Sequence, residues 1–222
     1  MQKLKAVLFD LDGTLIDTAP DFVNVLNSLR TEHQLPALPA PDIRAQVSNG
    51  ARALVKLGFD LSEGDPGFAE LLDALLERYL ANLAIDSALF PGLDTLLTAL
   101  ENKGIPWGIV TNKPSRYTIP LLERLHLDKR CAVAICPDHV THKKPHPEPI
   151  LLACKELNVL ASHTAYVGDH VRDIEAGKNA DCYTFAVAWG YIEPDDDITA
   201  WGADEICNTT ADLMSRIQAF SA

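Results

Sequence analysis

The sequence predicts an α/β protein with a Rossmann-like, doubly wound parallel sheet and a small helical domain inserted after the first strand. Short apolar segments alternate with helical patterns over most of the chain, which is typical of a parallel sheet covered on both faces. The first such segment, residues 6–9, is uniformly apolar, as expected for a strand buried on both sides. Residues 16–86 then show helical patterns and no convincing strand.

The remaining elements follow from the hydrophobic periodicity and from turn residues. Gly104 is placed to end one helix, Pro147 to begin another, and Thr209 or Thr210 to cap the last. The further strands are predicted over 105–110, 132–135, 164–167, 183–189 and 204–207, and the helices over 21–34, 42–57, 68–83, 93–103, 115–127, 147–158, 171–180 and 209–220. We therefore expect an α/β core domain over 1–15 and 87–222, and a helical domain over 16–86.

Composition limits the class of protein. The chain has 222 residues, of which 47% are hydrophobic, so a globular protein is expected. The formal net charge of −12 argues against a nucleic-acid partner. Five scattered cysteines without a CxxC motif predict reduced thiols, and neither a signal peptide nor a membrane span is expected. These features predict a cytoplasmic protein, either a monomer or a homodimer.

Polar residues of a consistent kind follow the predicted strands. Because the carboxyl ends of parallel strands meet at one edge of the sheet, these residues are expected to lie together. Side chains two apart in a strand point the same way, so Asp10 and Asp12 both face that edge. The residues concerned are Asp10 and Asp12, Thr111 and Asn112, Lys143 and Lys144, and Asp169 with Asp173 four residues on.

Two interpretations of these acids stay open on the residues alone. Paired aspartates at the end of a strand often only cap nearby backbone amides. The alternative is a site for a phosphate monoester and Mg²⁺, because this ion prefers oxygen ligands and is usually held by one or two carboxylates. A carboxylate can also attack phosphorus, while a lysine and a hydroxyl neutralise the transferred group.

A family resemblance favours the second interpretation. The chain resembles the haloacid dehalogenase superfamily of phosphatases over its whole length, with that family's four motifs in order. The matching segments are Asp10-x-Asp12-Gly13-Thr14, Thr111-Asn112, Lys144-Pro145 and Gly168-Asp169-x-x-x-Asp173. The resemblance implies that the helical insert is a cap domain. Asp12 favours a phosphatase, because true dehalogenases lack the second aspartate.

The resemblance also implies a role for each motif residue. Asp10 is the implied nucleophile, and Asp12 the implied acid and base. Asp10, Asp169 and the backbone carbonyl of Asp12 would bind Mg²⁺, with Asp173 orienting the site from behind. Lys144 would neutralise charge on both the nucleophile and the phosphate. Phosphate oxygens would be held by Thr111 and the amide of Asn112.

The substrate is less closely defined. The finer resemblance is to the phosphoglycolate phosphatase group, and within it to a branch that hydrolyses N-acetylmuramic acid 6-phosphate in bacterial cell-wall recycling. It depends on segments 110–114, 136–140, 144–149, 189–192 and 201–204. That sugar phosphate is the first expected substrate and 2-phosphoglycolate the second. A sugar-phosphate mutase and a non-enzymatic metabolite sensor are weaker alternatives, since a sensor needs neither nucleophile nor acid.

Several other residues lie close to the motifs in the sequence, but the motifs do not define their roles. Arg52 either reads polar groups of the substrate or is a solvated arginine. Lys143 and His170 adjoin motif residues, and Lys113, Arg116 and Arg172 are expected to be solvated or salt-bridged rather than catalytic. His139, His142 and His146 crowd one loop, for which we expect a plain surface loop rather than zinc, because no acidic or cysteine partner fits the spacing.

Overall fold

The computed structural model describes residues 4–220, and its centre is a parallel sheet of six strands. Strand β1 contributes four fully buried residues and pairs with β4 on one side and β6 on the other. The strand order is β5-β4-β1-β6-β7-β8. The strands are β1 (Ala6–Phe9), β4 (Trp107–Val110), β5 (Val133–Ile135), β6 (Thr164–Gly168), β7 (Tyr183–Val187) and β8 (Glu205–Cys207). The predicted doubly wound sheet is confirmed.

Helices cover both faces of this sheet. Alternate residues of β1 belong to different apolar clusters: Val7 and Phe9 pack on one face and Leu8 on the other. The helices that follow the strands are α5 (Leu93–Asn102), α6 (Ser115–Arg124), α7 (Glu148–Glu156), α8 (Val171–Asn179) and α9 (Thr210–Phe220). Gly104, with φ +65°, ends α5 as predicted, and Thr209 accepts the Asp212 amide to cap α9.

A helical insert, which we define as helices α1 to α4, lies between two short strands. Strands β2 (Ile16–Asp17) and β3 (Ala88–Leu89) pair antiparallel at its base. The insert contains α1 (Ala19–Glu32), α2 (Ala40–Gln46), α3 (Ala51–Phe59) and α4 (Phe68–Ala81). The expectation of no strand over residues 16–86 is wrong for β2, which is too short to carry a periodic signal.

One helix that the sequence predicts as continuous is two separate helices, α2 and α3, in the structure. The expected helix over 42–57 is interrupted by a 3₁₀ turn, Val47–Asn49, and by Gly50. Gly50 has φ +84° and ψ 179°, a conformation open almost only to glycine, so the helix cannot continue through it. The interruption turns a loop of the insert toward the sheet edge, where Ser48 and Asn49 line a cavity.

The sheet and the insert share one continuous apolar cluster, which joins Phe9 and Ile109 of the sheet to Leu26, Leu54 and Tyr79 of the insert. The division into domains at 15/16 and 86/87 stays a prediction, and residues 1–3 and 221–222 of the expected core domain lie outside the described residues.

All five cysteines are free thiols, four of them buried. Within residues 4–220, the longest helices are too short or too polar to cross a membrane.

Candidate active site

Three neighbouring strands deliver the motif residues to one edge of the sheet. Asp10 follows β1, Thr111 follows β4 and Asp169 follows β6, and these strands are adjacent in the sheet. Asp10 remains attached to the sheet, because its amide donates to the Val167 carbonyl at 2.8 Å. The order of the strands therefore brings distant parts of the chain within contact distance.

Lys144 lies at the centre of this edge. Its side chain is only 1% exposed, and Nζ lies 2.7 Å from Asp10 Oδ1 and 2.8 Å from Asp173 Oδ1. Nζ also donates to the Val110 carbonyl and the Tyr166 hydroxyl, each at 2.8 Å. Burial alone would lower the pKa of this ammonium, but the two carboxylates outweigh burial and raise it. Lys144 is therefore a fixed positive charge beside Asp10.

Asn112 holds the backbone of that lysine. Its Oδ1 accepts from the Lys144 amide and its Nδ2 donates to the Lys144 carbonyl, both at 3.1 Å. The side chain thus makes two hydrogen bonds to one residue of a different loop. Sequence reasoning assigned only the Asn112 amide, to phosphate, and missed this contact of the side chain.

The acids at the edge outnumber the local cation. Asp10, Asp169 and Asp173 offer oxygens within 4.8 Å of one another and face the ammonium of Lys144, so two negative charges remain uncompensated when all three acids are ionised. Burial, together with the neighbouring carboxylates, raises the pKa of Asp169 to about 8. Burial also raises the pKa of Asp10 to about 6, although Lys144 opposes the shift.

These residues fit a divalent cation. The donors are all carboxylate oxygens, which suits a hard ion such as Mg²⁺, and two positive charges would balance the excess. Asp169 is held in place by the Thr14 hydroxyl at 2.7 Å and the Tyr191 amide at 2.9 Å. A Cβ on Gly13 would lie 2.2 Å from Asp169 Oδ2, so only glycine lets the backbone approach this close.

Asp12 makes different contacts from Asp10. Its Oδ1 accepts from the Thr18 hydroxyl at 2.5 Å and from Lys113 Nζ at 2.9 Å. The Lys113 side chain is 8% exposed, so of the two expected states, solvated or salt-bridged, the structure shows the salt bridge. Burial acts to lower the pKa of Lys113, yet Asp12 and Tyr79 outweigh burial and raise it.

A cavity of about 430 Å³ separates the sheet edge from the helical insert. One side is polar, and Thr111, Asn112 and Lys144 line it beside the aspartates. The opposite side, formed mainly by the insert, is largely apolar. The apolar residues that line the cavity include Phe22, Val47, Leu72, Leu76, Tyr79 and Tyr117. The arrangement can hold a polar group against the aspartates and a larger body against the insert.

Arg52, Lys143 and His170 also line this cavity. The Arg52 guanidinium is paired with Glu63 at 2.6 Å and its side chain is 62% exposed, so it lies at the rim. His170 caps α8 by accepting the Arg172 amide, and burial and the charge of Arg172 lower its pKa to about 4. His170 is therefore neutral at physiological pH.

Sequence reasoning missed Tyr191 as part of the site. Its amide donates to Asp169, while its hydroxyl accepts from the amides of Thr18 and Ala19 at 2.6 and 2.9 Å. The same hydroxyl donates to Asp17 at 2.8 Å. Tyr191 thus connects one acid of the cluster to the first turn of the insert. The only signal was its place in segment 189–192.

A second group of possible metal ligands lies on the surface. His142, His146 and Glu148 bring ligand atoms within 4.8 Å of one another. The loop is exposed, as expected, but the expectation of no acidic partner is wrong. Glu148 accepts the amides of Thr141 and His142, each at 2.9 Å, which folds the loop back past Pro145.

Comparison with known proteins agrees with this geometry. Residues 7–187 match the family model for haloacid dehalogenase-like hydrolases. The chain is 46% identical over 212 residues to an N-acetylmuramic acid 6-phosphate phosphatase from Pseudomonas aeruginosa, covering 96% of this chain and 94% of that protein. It is 42% identical over 200 residues to a phosphoglycolate phosphatase from Xanthomonas campestris pv. campestris, covering 90% of each.

A solved structure shows the same architecture. The crystal structure of a predicted phosphoglycolate phosphatase from Haemophilus somnus 129PT superimposes with a TM-score of 0.85 at 27% identity. The match covers 97% of this chain and 99% of that one. The relatives identify the protein as a phosphoric monoester hydrolase. The chain belongs to the haloacid dehalogenase-like hydrolase family.

Proposed function

We propose that this phosphatase hydrolyses N-acetylmuramic acid 6-phosphate through an aspartyl-phosphate formed on Asp10. The observation that carries the proposal is the contact of Lys144 Nζ with Asp10 Oδ1 at 2.7 Å, at the polar end of a cavity far larger than a phosphate. The ammonium holds the carboxylate at the edge and adds positive charge where a phosphoryl group would be transferred.

In the first step, a carboxylate oxygen of Asp10 forms a bond to phosphorus. The bond between phosphorus and the ester oxygen breaks, and that oxygen leaves with a proton from Asp12. Thr111 and the Asn112 amide hold the phosphoryl oxygens during the transfer, while Lys144 neutralises part of their charge. The sugar is released as an alcohol.

In the second step, Asp12 takes a proton from a water molecule. The water oxygen attacks phosphorus, the bond from phosphorus to Asp10 breaks, and inorganic phosphate leaves. Asp10 is regenerated as a carboxylate, and Asp12 carries the proton needed for the next turnover. No oxidant or further reactant is required, so the cycle balances with the ester and water alone.

Asp10, Asp169 and the backbone carbonyl of Asp12 are the groups that would hold Mg²⁺. When bound, this ion would neutralise charge on the phosphoryl group and help to align that group with the Asp10 carboxylate. Asp173 orients Lys144 from behind, since its carboxylate lies 2.8 Å from Nζ. The helical insert, the proposed cap domain over residues 16–86, closes over the substrate and excludes bulk water.

The size and character of the cavity support the larger substrate. A two-carbon acid such as 2-phosphoglycolate would fill a small part of about 430 Å³ and touch little of the apolar side. A hexose with acetyl and lactyl groups would reach Leu72, Leu76 and Arg52 on the insert. The Pseudomonas relative carries the name of that activity. Phosphoglycolate hydrolysis remains the second candidate, favoured by the name of the Xanthomonas relative.

The test is phosphate release from both substrates under identical conditions. We expect kcat/KM for N-acetylmuramic acid 6-phosphate to exceed that for 2-phosphoglycolate by about 100-fold or more, because contacts with the insert are available only to the sugar. Asp10→Asn serves as the control for contaminating phosphatases. A reversed preference would assign the second candidate, and phosphate moved to another sugar hydroxyl instead of water would indicate a mutase.

A further inference from the structure

Lys113 is a buried lysine that the proposed reaction does not use. Its side chain is 8% exposed and its ammonium lies 2.9 Å from Asp12 Oδ1. The Thr18 hydroxyl donates to the same oxygen at 2.5 Å. Among the hydrogen bonds of residues 4–220, none uses the other oxygen, Asp12 Oδ2. The carboxylate is therefore fixed through one oxygen and has the other available.

The helical insert holds this lysine from the opposite side. The ammonium lies 4.5 Å from the ring centroid of Tyr79 in α4 and 5.0 Å from that of Phe22 in α1. The two rings stack on each other with centroids 3.9 Å apart and planes within 9°. Both residues are buried, Tyr79 at 1% and Phe22 at 6% exposure. Because the two rings face each other, an ammonium this close to both centroids lies beside their edges, where the packed rings fix its position and exclude water.

We infer that Lys113 is a positioning residue for Asp12, held in place by the Phe22 and Tyr79 rings of the insert, and that it serves the hydrolysis of the aspartyl-phosphate. This inference rests on the proposed function. The ammonium, 2.9 Å from Oδ1, fixes the orientation of the Asp12 side chain and leaves Oδ2 to face the water molecule that attacks in the second step. The aromatic contacts make this arrangement depend on the insert being packed over the sheet edge.

A role in binding substrate is the main alternative, because Lys113 lines the cavity. The two roles differ in the step that they affect. Loss of a binding residue lowers kcat/KM, which reports events up to formation of the aspartyl-phosphate. Loss of a residue that serves only the second step lowers kcat and lets the phosphorylated enzyme accumulate.

The experiment uses p-nitrophenyl phosphate and the full-length Lys113→Met variant. The p-nitrophenolate leaving group of this ester departs without a proton, so the first step does not need Asp12 as an acid. We expect kcat to fall by about 30-fold or more, while kcat/KM stays within about threefold of wild type. Rapid mixing is expected to show a burst of about one p-nitrophenolate per enzyme before a slow steady state.

Matched variants separate this effect from charge and packing. Lys143→Met removes an exposed lysine that lines the same cavity and is expected to give no burst. Lys113→Arg keeps the charge and is expected to recover most of kcat. Phe22→Leu keeps Lys113 but removes one ring, and it is expected to reproduce the burst with a fall in kcat of about threefold to tenfold. It also keeps the test valid if Lys113→Met does not fold.

Equal losses of kcat and kcat/KM without a burst, in both Lys113→Met and Phe22→Leu, would overturn the inference and leave the role of Asp10 intact. A burst in Lys143→Met of the same size would also overturn it, because any loss of positive charge would then suffice. A wild-type chain that releases no phosphate from any ester would overturn both the inference and the proposed function.

Discussion

The sheet edge and the helical insert face each other across the cavity with different chemistry. The edge presents a closely spaced set of charges, in which Lys144 contacts Asp10 and Asp173 at 2.7 and 2.8 Å. The insert presents mainly aliphatic and aromatic side chains, among them Leu72 and Leu76. Changes at the edge should therefore abolish the reaction, whereas changes in the insert should alter which ester is accepted and how fast it turns over.

The largest expected effect comes from the edge. Asp10→Asn removes the proposed nucleophile while preserving the shape of the side chain. Turnover should fall by about four orders of magnitude or more, because every step passes through this carboxylate. Phosphate release at high enzyme concentration measures the loss, and circular dichroism with thermal melting shows whether the fold persists. Activity within about tenfold of wild type would show that another residue attacks phosphorus.

Removal of a metal ion from the sheet edge should change the thermal stability of the protein, and the size of this change should depend on pH. The pKa values of Asp10 and Asp169, about 6 and about 8, lie above the usual 3.8. Between about pH 4 and about pH 8, the folded chain holds protons on these two carboxyl groups that the unfolded chain has released. The free energy of unfolding therefore falls as pH rises through this range. In EDTA, Tm should decrease over this range, and Mg²⁺ should raise Tm more at pH 8 than at pH 5.5, where protons compete.

Asp169→Asn is the matched control for the metal experiment. It removes one of the two raised pKa values and one proposed ligand of the ion, so the slope of Tm against pH should flatten and the effect of Mg²⁺ should largely disappear. A metal-free wild-type Tm that rises steadily from pH 5 to pH 8 would contradict the assignment of these acids as an uncompensated cluster.

A smaller effect is expected from the apolar side of the insert. Leu76 and Leu80 belong to the same helix and both pack on the core, but only Leu76 lines the cavity, so Leu80→Ala is the matched control for Leu76→Ala. Leu76→Ala should lower kcat/KM for the sugar phosphate about tenfold relative to p-nitrophenyl phosphate. Leu80→Ala should leave that ratio unchanged. An equal ratio in both variants would show that the insert does not select the substrate.

The smallest effect is expected in the backbone of the insert. Nothing lies within 4 Å of a Cβ built on Gly50, so Gly50→Ala tests its φ of +84° without a steric clash. We expect the free energy of unfolding to fall by about 1–3 kcal/mol, measured by urea denaturation. Gly104→Ala, also at positive φ with open space around it, should cost about 1 kcal/mol. A neutral Gly50→Ala would mean that the turn relaxes.

The sheet edge could be predicted from sequence because its geometry follows from simple rules. A buried apolar strand followed by Asp10, and others followed by Thr111 and Asp169, must meet at one edge once the sheet is parallel. The insert could not be predicted as well. The break at Gly50 lies inside an apolar pattern that continues on both sides, and glycine within a helix pattern does not by itself show a positive φ.

Contacts between distant segments were also beyond sequence reasoning. The burial of Lys113 depends on the packing of α1 and α4, which no local pattern specifies. The two hydrogen bonds from Asn112 to Lys144 depend on how the 140–148 loop folds, and so does the approach of Glu148 to His142. In each case the residue type was visible in the sequence, but its partner lay on an element whose position was unknown.

Trapping of the phosphorylated enzyme shows directly whether Asp10 takes the phosphoryl group. The chain is mixed with p-nitrophenyl phosphate and Mg²⁺, quenched in acid within the first turnover, reduced with borohydride and analysed by peptide mass spectrometry. Borohydride converts an aspartyl-phosphate to homoserine, so we expect homoserine at position 10 and an unmodified Asp12. Conversion at another carboxylate, or turnover with no conversion at position 10 in either wild type or Lys113→Met, would show that Asp10 is not the nucleophile.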